Sequence, residues 1–261
     1  MMKTIVANED EHHLGEAVAR FKAASNPVAL TGAGVSVGSG IPDFRSADGL
    51  WTVYSPDEYA TLDVFMRAPA KAWQLYRAMG KILLGKKPNP AHHALAEMED
   101  AGLLNSIITQ NVDNLHQLAG NKNVLEIHGD HQHLQCIQCE SVLPVANEHY
   151  KSGDIPLCSS CAFPLKPNIV LFGEAVRSLG EIYDLIFSCD LLLVIGTSAQ
   201  VYPAAELPLV VKRNGGLLYE FNKESTALSA DDSRSSRRTD YFFRGDVAVT
   251  LPMFVRGLLG R

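Results

Sequence analysis

Cys136-x2-Cys139, eighteen intervening residues and Cys158-x2-Cys161 constrain this chain more than any other feature of its sequence. Each pair forms a knuckle that turns two thiolates toward one point, and two knuckles complete a tetrahedral site for Zn(II). Four thiolates leave no open coordination position. The metal is therefore expected to be structural, supplying folding energy to a stretch with little apolar content of its own. Ordinary buried cysteines or a redox Cys-x-x-Cys are the competing readings, and the paired spacing disfavours both. Residues 131–166, which hold the pairs together with Pro144, Pro156 and Pro164, show no clear periodicity and read as an inserted zinc module. The fifth cysteine, Cys189, precedes Asp190 in a strand-like context and is expected to be a small core residue.

Outside that insertion the pattern is α/β. Leu14, Ala17, Val18, Phe21 and Ala24 recur at helical spacing between Asp10 and Ser25, and Asn26-Pro27 ends the run. The apolar runs Val28–Leu30, Ile107–Thr109, Val124–Ile127, Leu191–Ile195 and Leu217–Tyr219 each end in polar residues or glycine. In an open parallel sheet such strand ends converge on one ligand crevice. Trp73, Tyr76, Met79 and Leu83 share a helical face, and Asn89-Pro90 opens a helix running toward Gly102. The expected architecture is a Rossmann-like parallel-sheet domain of residues 1–45, 86–130 and 167–261. A smaller domain is expected from a helical insertion, 46–85, and the zinc-binding insertion, 131–166. The polar stretch Ser229–Arg238 reads as a solvated loop.

The net charge of −6, from 23 Lys+Arg against 29 Asp+Glu, argues against sequence-independent nucleic-acid binding, which needs cations to displace counterions. It suits a basic peptide better. The longest apolar run, Leu191–Ile195, falls far short of the roughly 20 residues of a membrane helix. With no apolar targeting segment visible, a cytoplasmic location is expected.

Gly32-x-Gly34-x3-Gly38-x-Gly40 follows a strand, which suits a turn holding a pyrophosphate on backbone N–H groups, although a simple tight turn is a serious rival. No acidic residue about 20 positions on closes a simple strand-end ribose contact of the usual kind, so hydride-transfer dehydrogenases are disfavoured. His128 ends a strand before Gly129 and is a candidate general base. A lone histidine is more often structural. His12, His13, His92, His93 and His149 carry no functional reading.

Taken in order, Gly32-Ala33-Gly34-Val35-Ser36, Ser39-Gly40-Ile41-Pro42-Asp43-Phe44-Arg45, Thr109-Gln110-Asn111-Val112-Asp113-Asn114-Leu115-His116, His128-Gly129, the cysteine pairs, Val170-Leu171-Phe172-Gly173-Glu174, Gly196-Thr197-Ser198, Asn222 and Gly245-Asp246 resemble the sirtuins, NAD-dependent protein lysine deacylases. The resemblance spans about residues 28–252. It implies NAD as a consumed co-substrate, one structural Zn(II), and an acyl-lysine protein or peptide as partner, with neither nucleic acid nor membrane involved. Gly32, Ala33, Gly34, Asp43, Phe44, Arg45, Gln110, Gly196, Thr197, Ser198 and Asn222 would form the NAD site. Asn111 and Asp113 would line the ribose and nicotinamide region.

By the same resemblance, the acyl oxygen attacks the ribose carbon as nicotinamide leaves, giving an alkylimidate. His128 then serves as base on a ribose hydroxyl, which attacks the imidate, and collapse with water yields free lysine and O-acyl-ADP-ribose. Val170, Phe172 and Gly173 would pair with the substrate backbone as an added strand. Ala60, Tyr76 and Met79 would line the acyl pocket, with Met79 where enzymes removing acidic acyl groups carry Arg. That substitution implies a wide, uncharged pocket for acetyl and longer neutral groups. Departures are modest: Val37-Gly38 replaces the more usual small-plus-acidic pair, and Ala175-Val176-Arg177 after Glu174 is not typical. Mono-ADP-ribosyl transfer and a non-catalytic NAD-sensing module are the alternatives, and the intact His128, Asn111 and Asp113 disfavour both. A zinc hydrolase is disfavoured by the closed thiolate site.

Overall fold

A computed structural model describes residues 2–7, 11–44, 49–230 and 238–261. Arg45 lies outside them, as does most of the Ser/Arg-rich stretch. Ser229, at the start of that stretch, is buried, and its hydroxyl accepts a bond from the Thr226 N–H.

The strands are β1 (Lys3–Val6), β2 (Pro27–Thr31), β3 (Ser106–Thr109), β4 (Val124–Glu126), β5 (Gly129–Gln135), β6 (Val142–Pro144), β7 (Lys166–Ile169), β8 (Leu191–Ile195), β9 (Leu217–Asn222) and β10 (Tyr241–Arg244). Seven form a parallel sheet in the order β1-β10-β9-β8-β2-β3-β4. Every residue of β2 and of β8 is buried, as a central parallel strand covered on both faces requires. Alternate side chains feed two cores. Ala29, Leu193, Phe221 and Phe243 meet Phe21, Leu95 and Phe254 on one face, whereas Leu30, Val194 and Leu218 meet Ile182, Ile186 and Val211 on the other.

The chain winds from β2 toward β3 and β4 in one direction and from β8 toward β9 and β10 in the other. The switch point therefore lies between β2 and β8, where a crevice opens beyond the strand ends. Here the two turns touch. A Cβ on Gly34 would lie 2.7 Å from the Gly196 Cα, and the Gly34 N–H donates to the Gly196 carbonyl at 2.8 Å. Gly32 and Gly34 are thus demanded first by contact between the turns. The segment Ala33–Ser39 that follows is a 3-10 helix.

The smaller part holds the antiparallel sheet β6-β5-β7. Its core joins both insertions: Phe65, Trp73, Tyr76 and Met79 pack in one cluster with Leu134, Cys136, Tyr150 and Leu165. Trp73 Nε1–H donates to the Leu165 carbonyl at 2.8 Å, fixing helix Pro69–Leu83 against the zinc module.

Candidate active site

Three strand ends supply the polar groups. Gln110, just beyond β3, donates its side-chain amide to the Thr197 hydroxyl at 3.0 Å, and the Asn222 amide donates to the Thr197 carbonyl at 3.0 Å. Residues assigned to the NAD site from three separate strands are therefore bonded into one string across the switch point.

His128 lies on the same string. Its Nδ1 is 3.0 Å from the Gln110 carbonyl, which can only accept, so Nδ1 carries the proton and Nε2 is the bare, basic nitrogen. Burial lowers the His128 pKa below 6.5, with the Gln110 bond opposing. The imidazole is neutral near pH 7, as a general base requires.

Asn111 and Asp113 converge on Ser36. The Ser36 hydroxyl donates to Asp113 Oδ2 at 2.6 Å and accepts from Asn111 Nδ2 at 3.0 Å, while Asp113 Oδ1 accepts from the Leu115 N–H at 2.9 Å. Burial pushes the Asp113 carboxyl up, and the bonds from Ser36 and Leu115 pull it back. Beneath Ser36 lies His92. Asn89 caps helix Pro90–Asp100, and its N–H donates to His92 Nδ1, leaving Nε2–H to face the Ser36 oxygen at 3.4 Å. With His92 donating, Ser36 spends its own proton on Asp113.

Ser36 and His92 join this hydrogen-bonded cluster, and sequence reasoning gives neither a role. In the sequence Ser36 lies in a motif without a role of its own, and His92 is one of several histidines in helical or polar contexts. The available signal was a polar ring at the third position of a capped helix, otherwise apolar on that face.

Phe44 and Met79 share a crevice with Ser36, Ile41, Asn111 and Asp113. Phe44 packs on Trp51 with ring centroids 4.9 Å apart, and Trp51 reaches Phe172 at 6.4 Å. The four cysteine sulfurs lie within 4.8 Å of one another, with neighbouring pairs at 3.5 to 3.7 Å. Zn–S bonds of about 2.3 Å place tetrahedral sulfurs about 3.8 Å apart, so the donor set fits one Zn(II).

The Sir2 family model matches residues 32–203, which span the glycine turn, the Gln110–Asp113 string, His128 and both cysteine pairs. The chain belongs to the Sir2 family. It is 42% identical over 245 residues to an NAD-dependent protein deacylase of Pyrococcus abyssi (strain GE5 / Orsay), covering 91% of this chain and 95% of that one. Among solved structures, a Sir2 homologue–NAD complex superposes with a TM-score of 0.86 at 36% identity, over 100% of this chain and 96% of the other. A Sir2–p53 peptide–NAD+ complex gives 0.81 at 36% identity, over 94% and 98%.

In this Sir2 chain the remaining positions fall into two groups. Val170, Phe172 and Gly173 form a loop against His128, since the Val170 N–H donates to the His128 carbonyl at 2.8 Å. Phe172 is 45% exposed, and its backbone pairs with Ala60 and Leu62. Of the acyl-pocket candidates, Met79 reaches the crevice wall, whereas Tyr76 and Ala60 lie in the buried cluster. The Tyr76 hydroxyl is buried and has no hydrogen-bond partner among the described residues.

Proposed function

We propose that this chain is an NAD-dependent protein lysine deacylase in which His128 is the general base and Asn111 and Asp113 orient the nicotinamide ribose. The observation that carries the reading is the string Asn222–Thr197–Gln110–His128. It ties the dinucleotide side of the crevice to a neutral imidazole whose bare nitrogen is defined by its other bond. The residues present suit the dinucleotide: an apolar wall with one amide and one carboxyl at its floor matches a flat ring bearing a carboxamide.

NAD, bound at the switch point, supplies an electrophilic ribose carbon and a leaving group. The chain's own residues do the rest. Gln110, Thr197 and Asn222 hold the nucleotide side. Asn111 and Asp113, fixed by Ser36, hold the ribose end, and Phe44 shields that face from water. His128 Nε2 takes the proton from a ribose hydroxyl. The loop Val170–Gly173 aligns the acyl-lysine peptide as an added strand, a mode tolerant of sequence. Zinc, closed off by four thiolates, shapes the insertion and takes no part in the chemistry.

Met79 in place of a cation favours acetyl and longer neutral acyl groups, which a flexible thioether accommodates. The test is a panel of acetyl-, hexanoyl- and succinyl-lysine peptides with NAD, scored by nicotinamide release. Turnover of the first two and poor turnover of the third support the reading. Efficient removal of succinyl would contradict the acyl assignment.

A further inference from the structure

Lys166 opens β7 and is only 1% exposed. Burying an ammonium without partners costs several kcal/mol, so full burial of lysine requires a built environment. Here Nζ donates to the Ile169 carbonyl at 2.5 Å and pairs with Glu174 Oε2 at 3.1 Å. Glu174 uses the same carboxylate oxygen to accept the Leu171 N–H at 2.7 Å, and its own N–H returns a bond to the Leu171 carbonyl at 2.9 Å. The turn 171–174 is therefore closed twice, once through the backbone and once through a carboxylate whose charge is held by a lysine from the zinc-module sheet. Phe172, inside that turn, is stitched to Ala60 and Leu62 on the helical insertion by bonds of 3.0 Å.

We propose that Lys166 is a positioning residue for the acyl-lysine peptide: through Glu174 it locks the turn 171–174, whose backbone would meet the substrate. This rests on the reading of Val170–Gly173 as the peptide-pairing segment. A pair that served stability alone would affect both substrates equally. A lock on this turn acts on one of them, because Gln110, Thr197 and Asn222 lie at the strand ends of the seven-stranded sheet and, among the described residues, share no hydrogen bond with Lys166.

The test compares wild-type protein with Lys166→Met and Lys166→Arg. In Lys166→Met the KM for an acetyl-lysine peptide is expected to rise about ten-fold or more while that for NAD stays within about two-fold, misplacement of a positioning contact being costly. Lys166→Arg, which retains the charge, is expected to restore the peptide KM. An unchanged peptide KM, or equal shifts in both constants, would overturn the proposal.

If Lys166→Met does not fold, the double variant Lys166→Met/Glu174→Gln removes both charges of the pair, so neither is left without its partner. It is expected to fold and to keep the raised peptide KM; a wild-type value would overturn the proposal. Hydrogen exchange supplies an arm that needs no turnover. Amides of 170–174 should exchange about ten-fold faster in the variant that folds, with β2 and β8 unchanged. Failure of the wild-type protein to use the peptide would sink the substrate reading, and the exchange result would still decide whether Lys166 locks the turn.

Discussion

At the scale of single residues, the chemistry depends on protons held at stated atoms. His128→Ala is expected to keep the fold and NAD binding and to lose about 10²–10⁴-fold in turnover, the usual contribution of a general base; isothermal titration with NAD beside a rate assay checks both halves. Because burial lowers the His128 pKa below 6.5, the base stays available as pH falls through 6.5, so the acid limb of kcat/KM should lie below that value. A limb above 6.5 would contradict the assignment. Met79→Arg should raise desuccinylation relative to deacetylation, since a guanidinium on the crevice wall can grip a distal carboxylate. If Met79 is only core packing, the ratio of the two rates will not move. The cysteine cluster was legible in the sequence because its chemistry is carried by local spacing, whereas His128 and the Gln110–Asp113 run took their expected roles from a family resemblance. The Ser36–His92 contact was not, because 56 residues separate partners that meet only once the Asn89 cap has set the helix.

At the scale of elements, the two insertions stabilise each other through Tyr150. Its ring lies on Gly80, where an added Cβ would come within 2.4 Å of the ring, and its hydroxyl contacts His131 Nδ1 at 2.8 Å. Alanine normally stabilises a helix interior over glycine by about 1 kcal/mol. Here the sign should reverse: Gly80→Ala should lower Tm by displacing Tyr150, and a raised Tm would show that the ring moves freely. Cys139→Ser or strong chelation should lower Tm, with activity failing only as the insertion unfolds. Chelated protein that kept its Tm yet lost activity would mean that the metal is not structural. The sheet β6-β5-β7 was not predicted from periodicity. Strand β5, Gly129–Gln135, is mostly polar, and Asp130 and the first cysteine knuckle organise it more than an alternating apolar face does. Strands β2 and β8, by contrast, announce themselves as unbroken apolar runs.

At the scale of the whole molecule, buried neutral histidines tie stability to pH. Burial lowers His92 and His131 from 6.5 to about 4 and His116 to about 3. Each is neutral in the fold, so its contribution is fully present above pH 6.5 and is lost as pH falls from 6.5 toward those values, at about 1.4 kcal/mol per unit of depression. Tm should therefore drop steeply between pH 6.5 and 4, and less steeply in His116→Leu, which has no proton to exclude. A flat Tm over that range would contradict the burial of these rings in neutral form. The parallel sheet as a class was legible from strand ends rich in Gly, Asn and Thr. Its edge was not: β1 buries only Ile5, too little for a periodic signal, and its place beside β10 is a long-range pairing.

In the proposed reaction NAD is consumed by acyl transfer at a site built on His128 and the Ser36–Asn111–Asp113 cluster. Mass spectrometry of the products formed from the purified protein, NAD and an acetyl-lysine peptide tests it directly. Deacetylated peptide, nicotinamide and O-acetyl-ADP-ribose are expected in equal amounts. Free acetate with NAD intact, or a peptide carrying ADP-ribose, would contradict it.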